Sequence, residues 1–277
     1  MHPELSVNAH HFEAMGTTCS LFVVGQSRGR LLEGESWVRH VGARLTRFAL
    51  DSELSRLNAR AGEWIEVSEE MEAVLRAALE AYAMSSGLVN AAVLPSVLAV
   101  GYTRPLVEGP TVATLDRVGP TPALPEVLEV GGRGARVRTG SSLDLGGIAK
   151  GWMADRLVEL LGPNALANLG GDLRAAGTGP RGDGWPVGVG CATLMLRDQG
   201  AATSSVHHRR WGEMHHLIDP RSGLPAKTGL DEVSVVAASG FEAEVIAKTA
   251  LLLGPALAPA YCAAHAMASW LAVGRDD

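Results

Sequence analysis

The chain has 277 residues, 47% of them apolar and 19% charged, a balance that excludes a disordered polypeptide and leaves room for a sizeable core. Its formal net charge of −6 excludes a general nucleic-acid or membrane-surface binder, so a phosphate-bearing ligand must be held by local cations or backbone amides. No run approaches the ~18 apolar residues of a membrane span, and no Ser/Pro-rich linker marks a seam, so one domain over 1–277 is expected.

The start, MHPELSVNAHHFEAMGTT, has no basic stretch followed by an apolar run, so no secretory signal is read and a soluble, cytoplasmic protein is expected. CSLFVVG (19–25) is a short β-branched run ended by Gly, a strand. In EGESWVRHVGARLTRFAL (33–50), Trp37, Val41, Leu45 and Phe48 lie three or four apart, which predicts a helix; DSELSRLN then offers a turn or a helix start capped by Asp51 or Ser52. EEMEAVLRAALEAYAMSSG (69–87) is the clearest helix, with Met71, Val74, Leu75, Ala78, Leu79 and Tyr82 on one face and Gly87 as its stop.

Between 121 and 143 the pattern breaks into short strands with Gly-rich turns, ARVRT reading as half-exposed. LDLGGIAKGWMADRLVELLG is a glycine turn opening an amphipathic helix that Gly162 closes, and NALANLGGDLRAAGTG and WPVGVG read as strand, turn, strand. VSVVAAS (233–239) is a buried strand, EAEVIAKTALLLG (242–254) a helix and ASWLAV (268–273) a closing strand. Strands outnumber helices and cluster with hairpin-length turns, so the fold class is α+β with a largely antiparallel sheet and packed helices. Cys19, Cys191 and Cys262 lie far apart, without CxxC spacing, and read as buried thiols.

SVHHRRWGEMHHLIDPRSG (205–223) concentrates four histidines and three arginines, open to reading as a metal site, an anion clamp or a catalytic hairpin. On a strand, adjacent side chains point to opposite faces, so neither His207/His208 nor His215/His216 can chelate one ion. A two-residue turn at Gly212-Glu213 would set Trp211 opposite Met214, Arg209 opposite His216 and His207 opposite Ile218. His216, between Met214 and Ile218 with a cation opposite, would then stay neutral near pH 7 and be able to take a proton; a satisfied core histidine is the plainer alternative. DLGGIAKG lets backbone approach a ligand and offers helix N–H groups to an anion, with Lys150 adding charge. It is not a Walker A loop, and a purely structural turn explains it as well. GTGPRG (177–182) matches GxGxxG, but Pro180 denies the helix that motif needs, and it reads as a loop.

Seven segments, MGTT (15–18), RFALDSELSRLN (47–58), LDLGGIAKG (143–151), ANLGGDLRAAG (167–177), ATS (202–204), HHLIDPRSGLPA (215–226) and AEVIAKTALLLG (243–254), together resemble, in order and spacing, the FAD:protein FMN transferases of the ApbE family. The resemblance covers nearly the whole chain. It implies an enzyme that binds FAD and a divalent ion, usually magnesium, and moves FMN onto a Thr or Ser hydroxyl of an acceptor protein, releasing AMP. It makes His216 the base, and places Met15, Phe48, Leu88, Val89, Asn90, Asp144, Lys150, Thr203 and Ile218 along the flavin nucleotide. It also implies a metal site built from an Asp, a Thr four residues later and a backbone carbonyl. Here those positions are Glu244, Lys248 and Gly147, and Asn90 stands where the family commonly has Asp. Either magnesium binds through Glu244 with Lys248 swung away, or Lys248 supplies part of the charge the metal would bring. An FAD-binding relative without transferase activity is the alternative function.

Overall fold

In the computed structural model, which describes residues 6–25, 28–190 and 192–274, seven strands form one sheet: β1 (Val7–Ala14), β2 (Thr17–Val24), β3 (Ala165–Leu169), β4 (Asp172–Ala176), β5 (Gln199–Ser205), β6 (Leu230–Ala237) and β7 (Ala268–Val273). Each strand pairs antiparallel with the next in sequence, so the sheet is a meander interrupted by long excursions. The alternation along β2 sorts its two faces: Cys19, Leu21 and Val23 point into one core, Phe22 and Val24 into another. The first face is covered by helices α1 (Arg28–Leu45), α2 (Glu69–Met84), α3 (Ala149–Leu161), α4 (Gly240–Leu253) and α5 (Ala258–His265). The second lies under the hairpin Trp185–Val189/Ala192–Leu196, whose Trp185, Val187 and Leu196 pack on Leu166, Leu173 and Val236.

The expected helix at 33–50 starts earlier, at Arg28, and stops at Leu45. Beyond it the Thr46 hydroxyl accepts from Phe48 N–H (3.2 Å), and the Thr46 carbonyl accepts from the Ser52 hydroxyl (2.6 Å), so side chains take over from the helical ladder. That exit turns Arg47 and Phe48 away from the helix line. Ser52, not Asp51, caps the next helix, Glu53–Ala59, accepting from Ser55 N–H. The other expected helices lie at α2, α3, closed by Gly162, and α4, capped by Ser239. ARVRT lies on a strand of a separate small sheet, Gly134–Val137, with Ala135 and Val137 buried and Arg136 exposed. The GTGPRG segment is a loop. Cys19 and Cys262 are buried; Cys191 lies outside the described residues. Among the described residues no helix is long and apolar enough to cross a membrane.

Candidate active site

Two sequence-distant pieces meet where α3 and α4 cross: the glycine turn 145–148 with the first turn of α3 that it opens, and the Glu244/Lys248 face of α4. Glycine is required at the crossing, because a Cβ on Gly151 would lie 2.5 Å from the Gly240 carbonyl oxygen. Closeness of the helices lets the buried Glu244 carboxylate reach across, its Oε2 accepting from Gly151 N–H at 2.8 Å. The helix start expected to offer amides to an anion therefore already holds one from the chain itself.

Around Glu244 the charges alternate. Lys150 ion-pairs with Asp172, which is 2% exposed, and stands 3.9 Å from Glu244 Oε1. Lys248, one helical turn after Glu244, donates to the Gly147 carbonyl and lies 3.8 Å from the same Oε1. Asp144 accepts from Arg47 Nε and Gly146 N–H, each at 2.7 Å. Burial pulls the Lys150 ammonium down to about 8, with Glu244 opposing; its direct pair with Asp172 also favours the charged form. Lys248 is likewise lowered, first by burial, with Glu244 and Asp144 opposing.

The histidine-rich segment brings Arg209 and His216 within electrostatic reach of Lys150 and Lys248. Gly212 and Glu213 form the turn, and Trp211 faces Met214 as expected. Arg209 and His216 meet through a backbone bond, His216 N–H to Arg209 carbonyl at 3.2 Å. The ladder ends there: Ile218–Asp219 pairs with Leu224–Pro225, while His207 donates its N–H to Ser205 Oγ and sets its ring 3.3 Å from Asp231. The expected His207–Ile218 opposition does not form, because the Asp219 turn, whose carbonyl accepts from Gly223 N–H, folds the chain back on itself first.

The histidines thereby divide. His207 and His208 are exposed. His215 is a satisfied core histidine, its Nε2 bonded to the Ala226 carbonyl (3.0 Å) and its Nδ1 accepting from Leu217 N–H (3.3 Å). His216 is different: its Nδ1 is buried without a hydrogen-bond partner. Burial, then Arg209, Lys248 and Lys150, holds this imidazole well below the ordinary histidine value, so it is neutral at pH 7.

The remaining expected residues fall in several neighbourhoods of the fold. Phe48 meets Tyr102 at a tilt, Tyr102 contacts Trp211, and the Arg47 guanidinium lies over both Phe48 and Tyr102. Ile218 packs with Leu94, Val97 and Val100 beneath Trp211. Thr203 shares a 2.9 Å hydrogen bond with Ser234, and Met15, at φ 54° in the turn between β1 and β2, packs against the Gly42 side of α1. Leu88 is half-buried, Val89 is buried, and Asn90 binds Pro122 carbonyl and Ala92 N–H, so Val89 and Asn90 act inward rather than toward an open face. The Ala91 carbonyl accepts from Asp144 N–H, tying this stretch to the glycine turn.

Arg47, Asp172, Tyr102 and Trp211 were not singled out from the sequence. The available signal was a lone charge inside an apolar stretch, Asp172 in NLGGDL and Arg47 before Phe48. A cleft of about 540 Å³ lined by Arg76, Trp152, Arg156 and Arg174 lies elsewhere, and these arginines are matched by nearby Glu72, Glu159 and Asp155.

A neutral imidazole with a buried, unpartnered nitrogen lies in the field of Arg209, Lys150 and Lys248, and residues 15–271 match the ApbE family model. The chain belongs to the ApbE family. It is 30% identical over 244 residues to the FAD:protein FMN transferase of Treponema pallidum, a match spanning 74% of this chain and 66% of that one. A match of 35% identity to the protein of the same name from Klebsiella pneumoniae spans 42% of this chain and 39% of that one. The chain thus spans just under two thirds, and in the second case well under half, of these relatives. The crystal structure of the ApbE protein from Thermotoga maritima superposes with a TM-score of 0.85 at 21% identity, covering 98% of this chain and 97% of that one, and shows the shared α+β fold.

A divalent ion fits this ApbE site poorly. Gly147 carbonyl is taken by the Lys248 ammonium, one Glu244 oxygen is taken by Gly151 N–H, and the described residues hold no cluster of three His, Cys, Asp or Glu placed to bind a metal.

Proposed function

We propose that this chain is an FAD:protein FMN transferase, moving the FMN half of FAD onto a Thr or Ser hydroxyl of an acceptor protein and releasing AMP. The reading is carried by His216, a neutral imidazole with a buried unpartnered nitrogen beside Arg209, Lys150 and Lys248, in a chain of the ApbE family. A hydroxyl attacking phosphorus must shed its proton, and His216 is the base that takes it. The new bond joins acceptor oxygen to the FMN phosphorus, while the bond from that phosphorus to the bridging oxygen breaks, the oxygen leaving with AMP. Charge that builds on the non-bridging oxygens and on departing AMP meets Arg209, Lys150 and Lys248.

On this reading Met15, Phe48, Leu88, Asp144, Lys150, Thr203 and Ile218 line the nucleotide, and the buried Val89 and Asn90 hold the stretch behind them in place. The Phe48–Tyr102–Trp211 cluster offers aromatic faces, tilted to one another, of the kind against which a planar heterocycle packs. Gly147 and Glu244 form the cation seat of the family pattern, and no step above passes through a metal. The cytoplasm is the compartment we assign; Cys19 and Cys262 are free thiols, as suits a reducing environment.

The test mixes the purified protein with FAD and an acceptor domain carrying a threonine attachment site, and follows acceptor mass together with AMP. A mass gain of FMN less water, with AMP in equal amount, is expected. FAD binding without either product, across several acceptors, would make the chain a flavin-holding relative instead.

A further inference from the structure

The α4 face beside the glycine turn carries an ammonium where the family pattern implies a threonine and a bound dication. We propose that Lys248 occupies the seat of the divalent ion, so that this chain binds FAD and transfers FMN without magnesium. This rests on the transferase reading for its substrate and on the family pattern for the seat; what fills the seat is argued from the contacts of Lys248, Glu244 and Gly147.

Position comes first. Lys248 Nζ donates to the Gly147 carbonyl and lies 3.8 Å from Glu244 Oε1, which puts it between the oxygens that the family pattern gives to the metal. A Cβ on Gly147 would clash with that nitrogen, so the glycine leaves room for the Lys248 head group against the turn. Magnesium demands near-octahedral oxygen coordination at roughly 2.0–2.1 Å. Here one oxygen of Glu244 is already bound to Gly151 N–H, and the carbonyl faces an ammonium.

Charge comes second. Three of the local cations are matched one for one: Arg47 with Asp144, Lys150 with Asp172, Lys248 with Glu244. Arg209, whose charge acts on His216, Lys150 and Lys248, has no carboxylate pairing with it among the described residues. The site is therefore net positive before anything binds, as a diphosphate requires, and a dication beside Lys248 would add repulsion. The neutral Asn90, on the stretch that binds Asp144 through Ala91, completes the balance. Relative to the family pattern, an ammonium and an amide replace a dication and a carboxylate, and the net charge is the same.

The experiment uses the whole protein, with magnesium chloride titrated calorimetrically into it, free and FAD-saturated, and with FAD affinity read by flavin fluorescence in EDTA and in magnesium. The wild type should take up no magnesium at the site and bind FAD equally well in both buffers. Lys248→Thr should gain a magnesium site and bind FAD roughly tenfold or more weakly in EDTA than in magnesium. Lys248→Met, which keeps the side-chain bulk, should lose affinity by a similar factor; melting curves show that each variant is folded. One equivalent of magnesium bound by the wild type and lost in Glu244→Gln overturns the proposal, as does a tenfold loss of wild-type FAD affinity in EDTA. Failure of the transferase reading looks different: FAD affinity or AMP release is absent in every buffer, while the magnesium titrations still report who owns the seat.

Discussion

At position 216 an imidazole has given up hydration without gaining a partner for Nδ1, and three cations make its protonation costlier still. The functional consequence is a base available well into acid. Transfer by the wild type should hold its plateau through pH 6.5 and fall only below the depressed His216 value; a limb centred at or above the ordinary value of about 6.5 in single-turnover rates would count against this residue. His216→Gln should keep FAD affinity within a few-fold while transfer drops by about 10²–10⁴. The same shift sets a stability slope. Unfolded, the ring titrates near 6.5; folded, it titrates lower, as does His215. As pH falls below about 6.5 the unfolded chain takes up protons the folded chain refuses, so stability declines until the folded values are reached and then levels off. Melting temperatures between pH 7 and 5 should therefore show a shallower slope in His216→Gln.

Arg209 tests the anion-facing half of the site. Removing its unpaired charge in Arg209→Met should weaken FAD binding by roughly tenfold, and Arg209→Lys should recover part of the loss. An unchanged FAD dissociation constant in Arg209→Met would assign the guanidinium to solvent. What was legible here in the sequence was His216, because apolar neighbours and a facing cation follow from strand alternation alone. The depth of its pKa depression was not legible, since that depends also on Lys150 and Lys248 arriving from helices far away in sequence.

Among the elements, the crossing of α3 and α4 carries the site, and Gly151 is its contact point. The glycine turn reads in sequence as a place where backbone meets a ligand; at Gly151 the partner is the neighbouring helix. An added Cβ would stand 2.5 Å from Gly240 oxygen and 3.0 Å from Glu244 Oε2; Gly240 is fixed by its N–H donating to Asp155, and Oε2 by Gly151 N–H. Gly151→Ala gains about 1 kcal/mol of helix propensity, but overpacking against backbone costs ~1–3 kcal/mol. We expect net destabilisation in urea melts together with weaker FAD binding, because α4 can yield only by moving Glu244 and Lys248. A more stable Ala variant would show that the helices have room.

Helix α2 was legible because periodicity, the Ser68 cap and a sharp stop agree. Strand β5 was not read, since QGAATSS lacks the branched and aromatic residues of a typical strand. Its small residues have a packing reason: a Cβ on Gly200 would collide with Ser239 and Gly240 at the start of α4. Strand β1 escaped because an exposed edge strand has little apolar alternation to display. The stretch 91–127 folds into one-turn helices and loops too short for any period to register.

Over the whole molecule, the sequential meander places β1 and β7 at opposite edges of the sheet, while the helix-side core runs from Phe12 on β1 to Val245 on α4. The site lies where that core meets a neighbouring helix-side core, under β5 and β6, since Val245 belongs to the first and Ile246 to the neighbour. Adjacent residues of one helix thus serve both cores, and neither core can be dismantled without moving α4 and the Glu244/Lys248 face it carries. We therefore expect one cooperative unfolding transition for the single domain read from the sequence, with calorimetric and van't Hoff enthalpies equal and with far-UV circular dichroism and Trp fluorescence coincident. At about a hundredfold excess over its dissociation constant, FAD should stabilise the folded chain by roughly 2.7 kcal/mol, raising the midpoint by about 5 °C. The rise should shift one transition rather than split it, because the ligand holds the element shared by both cores. Two resolved transitions, of which only one moves with FAD, would mean that the cores are separate domains and that α4 belongs to one alone.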